Sequence, residues 1–211
     1  MLRYWIIVSI LLLGCNIWAQ DTLTITYCDG GEQVVSLDQS KEKIESMAFT
    51  CASGGFGHST YIPGALQGSI YFLPSGTSRL PDFSLMEPVG VIYATQLDVP
   101  PQSFDKGFPG ITDRFEWFGI RYEGSFEVVA QGSYEFRIVS DDGSRVYIDD
   151  KLIIDNDGQH PPRSRSAAID LTRGQHAIRV DYYQGPRVTV ALQLFIKPPG
   201  GTEEVFNSTS P

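Results

Sequence analysis

The 211-residue chain lacks most of what marks the common functional classes. No cluster of Lys and Arg occurs anywhere and the formal charge is −9, which excludes a nucleic-acid partner, because phosphate binding needs concentrated positive charge. The same acidity argues against electrostatic docking on anionic lipid. His58, His160 and His176 are scattered without metal-ligand spacing. There is no internal repeat, no Ser or Cys nucleophile motif, and no pair of carboxylates that the sequence assigns to two sides of a substrate cleft. No enzyme is therefore expected. Asp155-Asn156-Asp157-Gly158 begins like a calcium loop but lacks the distal Glu of an EF-hand, so it reads as a hairpin loop.

Cysteine is also scarce, at three residues. Arg3 and the apolar run over residues 4–13 form a targeting signal too short to span a bilayer comfortably. Two cleavage readings stay open within the signal segment 1–19. Leu12-Leu13-Gly14-Cys15 resembles a lipobox, which makes Cys15 the lipidated first residue of an envelope lipoprotein. Ile17-Trp18-Ala19 before Gln20 reads as an ordinary signal-peptidase site and a secreted or periplasmic chain. Membrane attachment is then through a lipid anchor rather than a spanning helix. Cys28 and Cys51 remain as an even pair, expected to form a disulfide in an oxidising compartment.

Residues 21–57 read as a small module. Leu23-Thr24-Ile25-Thr26-Tyr27 alternates like a strand, Asp29-Gly30-Gly31 is a turn, residues 33–37 form a second strand, and residues 40–48 suit one short helix. From Gly68 onward β features dominate. Tyr134, Phe136 and Ile138 share one face; so do Ile178, Val180 and Tyr182, and then Val188, Val190, Leu192, Leu194 and Ile196. Period-2 alternation buries one sheet face and wets the other. The spacing predicts an all-β domain over residues 63–198, an antiparallel sandwich or barrel. Residues 199–211, polar and rich in Gly, Pro and Ser, are expected to fray as a flexible tail.

Gly132-Ser133-Tyr134-Glu135-Phe136-Arg137-Ile138, then Ser140-Asp141-Asp142-Gly143-Ser144-Arg145-Val146-Tyr147-Ile148-Asp149, resemble the centre of a PA14 domain. Gly174-Gln175-His176-Ala177-Ile178-Arg179-Val180-Asp181-Tyr182-Tyr183 fits a later strand of that family, and Gly68-Ser69-Ile70-Tyr71 its opening strand. The resemblance implies a β-sandwich or barrel. In sugar-binding members two adjacent aspartates joined by a cis peptide hold a calcium ion, which coordinates two sugar hydroxyls. Asp141 and Asp142 match those positions. Two neighbouring carboxylates supply charge to a cation that wants six to eight oxygens. Gln184 falls near the site of a further amide ligand, and Arg187 on the same loop is placed to hydrogen-bond a sugar hydroxyl. Tyr183, Trp117 and Phe118 are candidates for stacking on a sugar ring, set against ordinary core roles.

Two functions follow. One is calcium-dependent carbohydrate binding through Asp141, Asp142 and Gln184, with Arg187 at the ligand. The other is an accessory lipoprotein subunit of an outer-membrane assembly, docking envelope protein partners. Mass spectrometry of the mature N-terminus separates the cleavage readings: a diacylated or triacylated Cys15 is the expected first residue, and a free Gln20 start overturns the lipid anchor.

Overall fold

The computed structural model describes residues 21–26, 32–37, 57–111 and 114–210. The chain divides into two units, residues 1–53 and 54–211. In the first, β1 (Asp21–Thr26) and β2 (Glu32–Leu37) pair antiparallel, with Asp21 opposite Leu37 and Thr26 opposite Glu32. The signal segment, Cys15 and the expected helix over 40–48 lie outside the described residues. The expected Cys28–Cys51 disulfide is corrected: no disulfide bond is present among the described residues, and neither cysteine lies within them. An even count in an exported chain permits a bridge but sets no distance between two sulfurs.

The second unit is a sandwich of two antiparallel sheets. Its strands are β3 (Leu66–Phe72), β4 (Gly90–Ala94), β5 (Asp98–Ser103), β6 (Phe118–Val128), β7 (Gly132–Asp141), β8 (Ser144–Ile148), β9 (Lys151–Asn156), β10 (Arg163–Leu171), β11 (Gly174–Gln184), β12 (Thr189–Lys197) and β13 (Glu204–Val205). One sheet runs β4-β3-β6-β11-β8-β9; the other runs β10-β7-β12-β13, with β5 also on β12. Pro100 and Pro101 supply no N–H to the ladder, and the β5–β12 register shifts between Val190 and Leu192, opposite them.

The alternating strands deliver their apolar faces to one core. Phe136, Ile138, Val180, Tyr182, Leu192 and Leu194 are fully buried together. Val188, expected on the inner face, is 74% exposed because it precedes the start of β12. A second cluster forms separately from Tyr71, Leu73, Leu80, Phe83 and Tyr183, with Met86 and Trp117 against it. Tyr183 follows core Tyr182 on β11, so it points the opposite way. A Cβ at Gly119 would lie 2.5 Å from the Phe83 ring, so only glycine admits this close approach.

The expectation of a fraying tail is also corrected. Glu204 and Val205 pair with Ile196 and Phe195 of β12. Phe206 is buried, and Ser208 donates its backbone N–H to Thr95 O and its hydroxyl to Gly64 O. One aromatic anchor in a polar segment was enough to seat it, because Phe206 enters the core beside Phe126.

Beyond β8, His176 Nδ1 meets Asp149 Oδ2 at 2.6 Å, and the other Asp149 oxygen accepts the Ala177 N–H. Burial works to lower the His176 pKa, but the bonds to Asp149 and to Thr172 O and the nearby carboxylate charges together outweigh it, and the net direction is up. For Asp149 burial works upward, but the His176 bond, the Ala177 N–H and the His176 charge together outweigh it, and the net direction is down. Stability from His176 is therefore full below its unfolded value and lost as pH rises through the raised folded one. Stability from Asp149 is present above its unfolded value and lost as pH falls through the lowered folded one. Asp149→Asn keeps an acceptor for Ala177 and removes the charge. It is expected to cost about 0.5 kcal/mol in mildly acidic buffer, with the loss shrinking at alkaline pH in chemical denaturation. A pH-independent loss would show the ion pair to be idle.

Candidate functional site

β7 ends at Asp141, opposite Ala191 of β12, and the Asp141–Asp142 peptide is cis. Both aspartates are nearly removed from solvent, at 5% and 3% exposure. Asp142 Oδ1 accepts the His160 backbone N–H at 3.0 Å and Oδ2 accepts that of Gly185 at 2.7 Å. Asp141 Oδ2 accepts the Thr189 hydroxyl. Gly143 follows, tight against its surroundings: a Cβ there would meet the Tyr183 ring at 2.4 Å and Asp157 Oδ1 at 2.9 Å.

Gln184 closes β11 and is fully buried. Its Oε1 accepts the Tyr182 hydroxyl at 2.7 Å, and its Nε2 donates to Thr189 O at 3.1 Å. The Tyr182 hydroxyl also lies 2.8 Å from Asp141 O. Shared partners thus bring Asp141, Asp142 and Gln184 into one cluster: Tyr182 and Thr189 touch Asp141 and Gln184, and Gly185 touches Asp142. Arg187 stands apart from them. It is bound to Glu116 Oε2 at 3.2 Å and lies over the Phe104 ring, with its side chain 67% exposed.

Behind the aspartates is a buried polar network that sequence reasoning missed. Ser140 Oγ meets Ser144 Oγ at 2.7 Å and accepts from Asn156 Nδ2 at 2.9 Å; Asn156 Oδ1 accepts from Arg163 Nε at 2.7 Å. This ties the ends of β7, β8, β9 and β10 together. The two serines flank Asp-Asp-Gly in sequence, which was the only available signal. Thr189 and Tyr182 carried none. Of the stacking candidates, Tyr183 and Phe118 are completely buried, and Trp117 packs on the second cluster.

Two adjacent carboxylates out of water are each costly to charge, and for Asp142 the neighbouring charge adds to that cost. Burial raises the Asp141 carboxyl above its usual range. Burial, then the Asp141 charge, raises Asp142 to about 6, against the pull of the Gly185 and His160 N–H groups. The arrangement fits a hard dication: two carboxylates, an amide oxygen and nearby carbonyls, with fixed N–H donors orienting one carboxylate. Among the described residues, no group of three or more His, Cys, Asp or Glu side chains is placed to share a metal, so carbonyl or amide oxygens would have to complete any shell here.

Three comparisons bear on this arrangement. A profile of the PA14 domain matches residues 80–210. No curated protein matches the chain. Among solved structures, an anti-sigma factor domain-containing protein is 24% identical with a TM-score of 0.54; the match covers 68% of this chain and 45% of that one. The PA14 domain of the antifreeze protein MpAFP is 21% identical, covering 69% and 88%, with a TM-score of 0.55. A PA14 sugar-binding domain from an RTX adhesin is 21% identical, covering 68% and 95%, with a TM-score of 0.56. Likeness at these identities shows the fold. The chain spans less than half the length of the first of these proteins.

A raised folded-state pKa means that the folded protein holds its proton more tightly than the unfolded chain. Metal-free stability from Asp142 therefore falls as pH rises from its ordinary 3.8 through about 6. Asp142→Asn keeps the shape and an acceptor oxygen while removing the charge. Without metal, wild type is expected to melt progressively lower relative to this variant as pH is raised across that window. Parallel melting curves would show that the carboxylate carries no desolvation penalty.

Proposed function

The chain belongs to the PA14 domain family, and on that premise we propose that it is an exported, non-enzymatic module that binds carbohydrate through a calcium ion held by Asp141 and Asp142. The observation carrying this reading is the buried pair of adjacent carboxylates, with Asp142 raised to about 6. Such a pair is costly alone and is relieved by a dication. The similar fold of a sugar-binding domain supports the ligand class.

A bound calcium ion would supply open coordination positions for neighbouring sugar hydroxyls. This chain's own residues prepare the place. Asp141 and Asp142 contribute charge and oxygens. The Gly185 and His160 N–H groups hold the Asp142 carboxylate in orientation. Gln184 braces Thr189, and through Tyr182 its amide oxygen stays beside Asp141. Arg187, 67% exposed, would turn from Glu116 to reach a ligand hydroxyl.

Calorimetry with calcium tests the reading. Asp141→Asn and Asp142→Asn are each expected to weaken calcium binding on the order of a hundredfold, since each removes a full ligand charge. Gln184→Ala is expected to weaken it less, because an amide brings no net charge. Absence of calcium heat from wild type at millimolar ion would sink the reading. The module would then be an accessory unit docking protein partners.

A further inference from the structure

Two largely exposed guanidinium groups sit on loops next to residues that contact the aspartates. The first lies beside Asp157, whose Oδ1 would sit 2.9 Å from a Cβ at Gly143, the residue after Asp142. Asp157 is well satisfied. Oδ1 accepts the N–H groups of Leu80 and Gly158, and Oδ2 accepts Arg145 Nη2 at 3.1 Å. Its side chain is only 3% exposed. Arg79, on the loop between β3 and β4, reaches the same carboxylate at only 3.8 Å and leaves its side chain 77% exposed. For the second, Gly185 binds Asp142 and Arg187 follows two residues later, 67% exposed.

Two arginines elsewhere in the sandwich are held more tightly. Arg121 meets Asp181 at 2.9 Å with 15% of its side chain exposed, and Arg137 meets Glu203 at 2.6 Å through two bonds. Arg79 has neither a short bond nor cover. Its nominal partner is buried and already occupied by three other donors. Once a dication offsets Asp141 and Asp142, Arg79 remains as an outward guanidinium without a short bond, on a chain whose formal charge is −9. An ion that coordinates two hydroxyls distinguishes poorly among sugars sharing that pair of hydroxyls, so selectivity has to come from groups at the rim.

We propose that the site selects an anionic glycan, one bearing a carboxylate or sulfate, and that Arg79 is the residue that reads the anion, from the observation that its guanidinium lies loosely beside an already satisfied Asp157. This rests on the calcium reading above. A planar guanidinium pairs with a carboxylate or sulfate through two N–H bonds, and release from a 3.8 Å contact costs it little.

The experiment is calorimetry on calcium-saturated protein with three disaccharides: one ending in glucuronate, its neutral glucose counterpart, and the 6-sulfate of the latter. At least one anionic sugar is expected to bind about tenfold tighter than the neutral one, with the advantage shrinking in high salt. The two anionic arms distinguish carboxylate from sulfate. Arg79→Gln is expected to remove the advantage and leave the calcium isotherm unchanged, and Arg79→Lys to keep part of it. Binding of neither anionic sugar more tightly than the neutral one overturns the inference, as does an advantage that survives Arg79→Gln. Calcium heat without anion preference defeats this inference alone, whereas no calcium heat defeats the reading beneath it.

Discussion

Two like charges in adjacent positions, both withdrawn from water, set the conditions at this end of the sandwich. Asp141 and Asp142 are 5% and 3% exposed, and burial alone pushes their protons to bind more tightly. A protein relieves such a pair by protonation, by hydrogen bonds to the charged form, or by a cation. The first is largely lost at neutral pH, since Asp142 titrates at about 6. The second is partly in place: Gly185, His160 and Thr189 all donate to the pair. The remaining imbalance is the physical basis for the calcium reading.

The sandwich supplies rigidity where that imbalance would otherwise distort the backbone. Asp141 is the last residue of β7 and is paired with β12, so its position is set by a ladder that continues to Lys197 opposite Glu135. Gln184 is the last residue of β11, paired with Phe118 of β6. The Ser140–Ser144–Asn156–Arg163 network joins four strand ends behind the aspartates. A buried network of this kind specifies one geometry only while every member is satisfied. The aspartate cluster and the core therefore meet at Tyr182, whose ring packs on Phe108 while its hydroxyl bonds to Gln184.

Much of this could be read from residue order, for identifiable reasons. Period-2 alternation from Tyr134 to Ile138 and from Ile178 to Tyr182 named the inner face, since a strand offers only two sides. The same rule failed at Val188, where the strand had not yet begun, and at residues 199–211, where low apolar content hid the anchoring of Phe206. Among aromatic residues, composition does not separate a stacking platform from a core ring. Tyr183 and Phe118 proved to be core, and Phe115, not singled out from the sequence, is about half exposed.

The sequence by itself determined the β class and which residues of the alternating strands face inward, because each is a local pattern of residue types, whereas Asp141, Asp142 and Gln184 were singled out through the family resemblance. Only the tertiary structure decided that Arg187 turns to Glu116 and Phe104, that Asn156 bonds to Ser140 and Thr189 to Asp141, and that Arg79 reaches Asp157 from a loop 62 residues before Asp141. Such contacts depend on which strand ends are neighbours in the two sheets. Chain separation carries no information about that adjacency until long-range pairing has closed the intervening loops.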